Sequence, residues 1–136
     1  MTSLSPLAAT VNVAIGGAAG AVLRYQAGRG MTRWFGAQTM VGYPWATIAV
    51  NVVGSIAMGV LAGYLARHSD GSGEQWRLLV GVGLLGGFTT FSAFSLELML
   101  LIERGQPALA LSYALVSVLA GLTGLYIGLI IMRIAA

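Results

Sequence analysis

The stretch GGFTTFSAFS, residues 86–95, interrupts an apolar run with two adjacent glycines, two threonines and two serines. A membrane-crossing helix satisfies its own backbone, whereas unpaired backbone groups cost several kcal/mol each in hydrocarbon. Irregular backbone persists at that depth only when protein buries it or it lines a wet cavity. How these ten residues are read therefore decides what kind of helical protein this is.

The surrounding sequence sets the environment. Hydrophobic residues make up 57% of the 136-residue chain and charged residues 8%, with a mean hydropathy of +0.86. This balance lies far from that of a soluble globular domain. The apolar residues fall into four blocks, roughly 11–30, 45–66, 78–102 and 107–132, each matching the ~20 residues needed to span ~30 Å of hydrocarbon. The expectation is an all-α integral membrane protein, a single transmembrane domain over residues 1–136 with four spans and short connections. The opening MTSLSPLAAT has no Lys or Arg, so the first block lacks the positive flank of a secretory signal and is expected to be retained. The chain has no cysteine, which excludes disulfides, thiolate metal sites and cysteine nucleophiles. Its net charge of +3 comes from arginines placed mostly at block ends, a pattern for headgroup anchoring and not for nucleic acid.

Those arginines carry an orientation argument. Arg67, Arg77 and Arg133 fall on one side of a four-span layout, and Arg29, Arg33 and Arg104 on the other. Orientation follows the Lys/Arg excess on cytoplasmic loops, and here the excess is zero. Arg24, inside the first block, shifts the count only to four against three. Insertion in both orientations is therefore expected, allowing an antiparallel dual-topology homodimer about an axis in the membrane plane. The alternative is one orientation fixed by other signals.

Each block contains a small-xxx-small glycine pair: Gly16 and Gly20, Gly59 and Gly63, Gly83 and Gly87, Gly124 and Gly128. In lipid such pairs let backbones approach for van der Waals contact, which predicts a tightly packed bundle. The string GVGLLG, residues 81–86, fits G-x-G-x-x-G by letters, but the dinucleotide-binding reading needs a preceding strand in a βαβ unit. It is a coincidence of glycine content.

Within the third block, Gly86 to Thr90 occupy the ninth to thirteenth positions, near the midplane at ~1.5 Å per residue. A third helix broken there would end its first half near Gly86 with free carbonyls and start its second near Thr90 with free amides. Free carbonyls suit a hard cation; alternatively, the hydroxyls bond back to the backbone in a hydrated kink. Phe91 and Phe94 share a helix face. They either pack in the core or turn their positive ring edges to a small anion.

Other polar residues sit in the spans. Asn51 and Ser55 are four apart in the second, and Tyr113 and Ser117 four apart in the fourth, where Gly124 and Gly128 continue the face. Each pair serves either as interhelical glue or as a row of groups replacing an ion's water. Arg24 either snorkels to the headgroups or attracts anions at a pore mouth, and Glu97 is expected to pair with a polar partner. His68 lies in the polar loop RHSDGSGEQ and is expected to be solvated. No nucleophile, general-base or metal-ligand set stands out, so an enzyme is not expected.

The segments GGAAGAVLRY (16–25), ATIAVNVVGSIAMG (46–59) and GGFTTFSAFS (86–95) resemble the signature segments of the Fluc/CrcB family of bacterial fluoride channels, in order and along the whole chain. The resemblance implies a dual-topology homodimer with two antiparallel pores in the bacterial cytoplasmic (inner) membrane, surrounded by lipid. It implies a structural sodium ion at the dimer centre, held by the backbone carbonyls of Gly86 and Thr89. It further implies a fluoride path lined by Phe91, Phe94 and Asn51, with Ser92, Tyr113 and Ser117 on a polar track. Fluoride entering as HF would dissociate in the cytoplasm and leave as the anion, driven by the membrane potential. Ala93 departs from the family's TFSTF, and Gly121 stands where a further hydroxyl often occurs. The competing expectation is a small multidrug transporter exchanging protons for cationic drugs on an embedded carboxylate; against it, the first span carries Arg24 and no acid. A subunit that merely packs against a larger membrane complex is the third possibility.

Overall fold

The computed structural model describes residues 4–67 and 73–135; His68 lies outside the described residues. Among the described residues, four helices are long and apolar enough to cross a membrane. The first, α1 (Pro6–Phe35), leads to a short α2 (Ala37–Gly42) and the second span α3 (Trp45–Arg67). The third span is composite. It consists of α4 (Gly73–Trp76), a wide π-helical segment (Arg77–Leu85), α5 (Gly86–Phe88) and α6 (Phe91–Glu103). The fourth span is α7 (Pro107–Ile134). Apolar residues surround α3 and α7 on every side instead of forming one stripe, as expected of helices meeting protein on one side and lipid on the other. Leu119 and Leu122 remain more than 60% exposed.

Local chemistry fixes the helix ends. Ser5 caps α1, its hydroxyl accepting from the Ala8 amide at 3.2 Å, with Pro6 at the first helical position where it is tolerated. At 30 residues, α1 is about 45 Å long and exceeds the hydrocarbon thickness. It extends five residues past the expected end at residue 30, and α2 occupies part of the expected connection. The reason is that Arg29, Arg33, Trp34 and Phe35 suit a helix emerging through the headgroups, and the turn comes only at Gly36, whose φ is +86°. At the other hairpin, Gly105 (φ +72°) follows α6. The Gly105 amide donates to the Ile102 carbonyl at 2.9 Å and the Gln106 amide to Leu101 at 3.0 Å. This paired closure of a helix end, followed at once by Pro107, returns the chain antiparallel as α7.

The glycine pairs sort the spans into two interlocked couples. A methyl on Gly16 or Gly20 would overlap the Leu79 or Leu84 carbonyl, and one on Gly83 or Gly87 would press on the α1 backbone. Likewise a methyl on Gly59 would overlap the Leu125 carbonyl, and one on Gly128 the Ile56 carbonyl. The first couple is therefore α1 with the first half of the third span, the second α3 with α7. The π-helical widening was not foreseen. Within it the Gly86 amide reaches back five residues to the Gly81 carbonyl.

Between the couples the third span changes partner. The helix stops at Phe88; Thr89 (φ −84°, ψ 161°) and Thr90 (φ −153°, ψ 125°) are extended; and helix resumes at Phe91. The first half thus runs two residues beyond the expected stop near Gly86. Thr90 caps α6, its hydroxyl accepting from the Ala93 amide at 3.2 Å. A small core of Ile48, Leu101, Ala110 and Tyr113 then packs α6 against α3 and α7.

Candidate functional site

The interruption at Thr89 and Thr90 is satisfied by one side chain from another span. The Thr90 amide donates to Asn51 Oδ1 at 2.8 Å, and Asn51 Nδ2 donates to the Thr90 carbonyl at 3.1 Å. Both ends of one carboxamide thus hold both backbone groups of one residue. From the other side, Arg24 Nη1 approaches the Thr89 carbonyl at 3.4 Å, a long contact for a guanidinium. Gly54 supplies the room, since a methyl there would collide with the Thr89 side chain. The Thr89 hydroxyl back-bonds the Leu85 carbonyl at 2.8 Å, so part of the hydrated-kink alternative is present as well.

Two clefts meet at this point. One, of about 330 Å³, is lined by Asn51, Ser55, Thr89, Thr90, Phe91, Phe94 and Ser117 with apolar neighbours including Met58. The other, of about 440 Å³, is lined by Arg24, Thr47, Thr90 and Ser92 together with Ala93 and Leu96. Thr90 borders both. The Ser117 hydroxyl is buried with no hydrogen-bond partner among the described residues. A buried hydroxyl without a partner is rare and calls for an explanation; its position in the first cleft makes a transient guest one.

Beside the clefts runs a hydrogen-bonded acid. Glu97, on α6, accepts from the Thr47 hydroxyl at 2.8 Å and from the Tyr113 hydroxyl at 2.7 Å. Both carboxylate oxygens are therefore engaged, which is how an intramembrane acid is accommodated. Tyr113 is fully buried and starts a column of rings. Its centroid lies 5.1 Å from Phe94 and 5.8 Å from Tyr43, edge-on. Phe91 lies 5.6 Å beyond Phe94 at an angle of 37°, and Trp45 4.8 Å beyond Tyr43.

The structure distributes the sequence-derived candidates as follows. Asn51, Phe91, Phe94, Ser117 and Thr89 share the first cleft, while Arg24 and Ser92 line the second. Tyr113 lines neither; it stands behind Phe94 with its hydroxyl given to Glu97. Gly86 also lines neither and is exposed. Sequence reasoning missed Thr47, which looked like one more β-branched residue in an apolar span, and Tyr43, which lay in an expected connection. The signal for Thr47 was its i, i+4 spacing from Asn51 on one helix face.

A family model described as CrcB-like protein, Camphor Resistance (CrcB), matches residues 11–129. The chain belongs to the CrcB-like family. It is 58% identical over 136 residues to a protein of Erythrobacter litoralis, covering all of both chains. It is 60% identical over 127 residues to one of Novosphingobium aromaticivorans, covering 93% of this chain and 98% of that one. A protein of Caulobacter vibrioides is 47% identical over 121 residues, covering 89% and 92% respectively. Each of the three bears the name fluoride-specific ion channel. Members of this CrcB-like family are thus named as ion channels, not enzymes. With its four spans the chain is a multi-pass membrane protein, and the multidrug-transporter alternative gains no support.

Proposed function

We propose that this chain is a passive fluoride channel acting as an antiparallel homodimer in the bacterial inner membrane. The observation that carries the reading is the cleft at the interrupted third span. There Asn51, Thr90 and the unpartnered Ser117 hydroxyl stand among Phe91 and Phe94. A small, strongly hydrated anion crosses hydrocarbon only if donors replace its water in steps. Hydroxyls, an amide and the positive edges of rings supply donors without a fixed cation that would trap the ion. Arg24, in the adjoining cleft, raises the local anion concentration at the mouth.

Phe91 is 78% exposed on a single copy, and the cleft that it borders has no wall on that side. An inverted second copy supplies it, and the twofold relation makes two equivalent pores running in opposite senses. The balance of arginines, three on each side, supports insertion both ways. Lipid surrounds the assembly. The membrane potential drives export, because fluoride enters as neutral HF and is trapped as the anion.

A sodium ion at the dimer centre fits the backbone of this chain. In a continuous helix the Gly86 carbonyl would accept from the Thr90 amide and the Thr89 carbonyl from the Ala93 amide. Those amides instead donate to Asn51 Oδ1 and to the Thr90 hydroxyl. Two carbonyls are thereby withheld from the helix ladder at the interruption, and main-chain oxygens suit a hard monovalent cation. Bound there, sodium would join the two copies and offset the carbonyl dipoles.

The test is flux from liposomes reconstituted with purified protein and loaded with fluoride or chloride. Fluoride efflux far faster than chloride is the expected result. Equal rates, or none above protein-free liposomes, would overturn the reading.

A further inference from the structure

We infer that Asn51 is a positioning residue for the central cation site, acting through Thr90, in addition to lining the anion cleft. The inference rests on the proposed sodium site. It starts from the fact that both ends of the Asn51 carboxamide are occupied by one backbone residue, at 2.8 Å and 3.1 Å. An amide used in this way is already committed. Its carbonyl oxygen holds the Thr90 N–H, so that N–H does not close a helical turn onto the Gly86 carbonyl four residues back. Its NH₂ holds the Thr90 carbonyl in the extended conformation (φ −153°, ψ 125°) from which α6 starts.

The consequence reaches beyond Thr90. With that residue held extended, its hydroxyl is placed to cap α6 by accepting from Ala93, and this withholds the Ala93 amide from the Thr89 carbonyl. One side chain on α3 therefore keeps two carbonyls out of the helix ladder, Gly86 directly and Thr89 through the cap. Without Asn51, the stretch from Gly86 to Ala93 can recover backbone bonds by winding into helix, the default for unpaired groups in lipid. The carbonyls would then be spent. Arg24 does not replace Asn51, because it contacts the Thr89 carbonyl and not Thr90.

This assignment separates two roles that a flux assay merges. As an anion contact alone, Asn51 affects fluoride passage and leaves cation binding untouched. As a positioning residue it sets the sodium requirement of the assembly, which is measurable with no fluoride present. Asn51→Ala removes both contacts with Thr90. Asn51→Asp has nearly the same shape: one oxygen accepts from the Thr90 amide and the other, protonated against the Thr90 carbonyl, donates to it, so both contacts with Thr90 are kept while the cleft loses the second N–H of the carboxamide.

The experiment follows thermal unfolding and cross-linked dimer fraction of the purified full-length protein as sodium replaces N-methylglucamine at constant ionic strength, alongside fluoride efflux from liposomes. For the unmodified protein both stability and dimer fraction should rise with sodium. Asn51→Ala should move the half-maximal sodium concentration upward by tenfold or more. Asn51→Asp should keep a half-maximal concentration no higher than that of the unmodified protein while losing at least tenfold in fluoride efflux. Should Asn51→Ala fail to fold, the aspartate variant still decides, since a sodium requirement raised tenfold in it would overturn the inference. So would an alanine variant that loses efflux with its sodium dependence within twofold of the original, or an unmodified protein indifferent to sodium. A protein that passes no fluoride yet shows the predicted sodium shifts would overturn the channel reading and leave this inference standing.

Discussion

Tyr113 donates its hydroxyl to Glu97 Oε2 across 2.7 Å, and with Thr47 on the other oxygen it gives this acid, set well inside the third span, a donor on each oxygen. Removing the hydroxyl leaves the carboxylate with one donor in a setting where water is scarce. An interhelical hydrogen bond in a membrane protein contributes about 0.6–2 kcal/mol, and a charged acceptor left unpaired adds to that. Tyr113→Phe keeps the ring contacts with Phe94 and Tyr43 and should therefore destabilise the protein by roughly 1–3 kcal/mol. Thermal unfolding in detergent should show a drop of several degrees. An unchanged midpoint would mean that the carboxylate recruits another donor.

The crossing of Gly59 and Gly128 sets how closely α3 and α7 approach. A methyl on Gly128 would overlap the Ile56 carbonyl while standing 2.8 Å from the Val60 nitrogen and 3.0 Å from Gly59 Cα. These are backbone atoms and cannot rotate aside, so Gly128→Ala should cost about 1–3 kcal/mol or more. Gly30→Ala is the contrast. Nothing lies within 4 Å of the added methyl on α1, and alanine's helix preference favours it by up to ~1 kcal/mol. Yield and unfolding temperature of the two variants should move in opposite directions.

The legibility of this structure followed the strength of the physical constraint. Four spans were readable because crossing hydrocarbon demands length and apolarity at every position. The glycine pairs showed that helices touch but not which ones, since any small-xxx-small face can accept any other; only the coordinates couple Gly16 with Leu79 and Gly128 with Ile56. The unusual chemistry of residues 86–95 was visible because threonines and paired glycines are costly there. The stop was misplaced by two residues because Phe88 continues the helix as readily as Gly86 ends it. What could not be read was partnership. That Asn51 would take both backbone groups of Thr90, and Thr47 one oxygen of Glu97, depends on how α3 and α6 are set against each other, 39 and 50 residues apart in sequence.

Ala93 borders the cleft that also holds Thr90 and Ser92, whose hydroxyls lie 3.3 Å apart. Ala93→Thr adds a third hydroxyl to this group at a half-buried position. A net hydrogen bond is worth about 0.5–1.5 kcal/mol, which corresponds to roughly two- to tenfold in the occupancy of an anion near the cleft. Under the proposed function, fluoride efflux from liposomes should change by a factor in that range while the unfolding temperature shifts little. An identical efflux rate would place the ion's route away from this cleft.

Arg104 offers the means to test insertion in both orientations. It lies at the end of α6, exposed, with Nη1 donating to the Val41 carbonyl at 3.1 Å. The chain contains no cysteine, so Arg104→Cys creates a single label site. The substitution also removes one of three arginines from its side, and orientation follows the arginine excess, so the bias should turn modestly toward the opposite face. Gln106→Cys, which keeps all seven arginines, corrects for that. In intact cells, a membrane-impermeant thiol reagent should modify part of the population in each variant, and disruption of the membrane should expose the rest. The externally labelled share should be near half for Gln106→Cys and displaced from it for Arg104→Cys. Complete labelling, or none, in both variants would establish a single orientation and remove the antiparallel dimer.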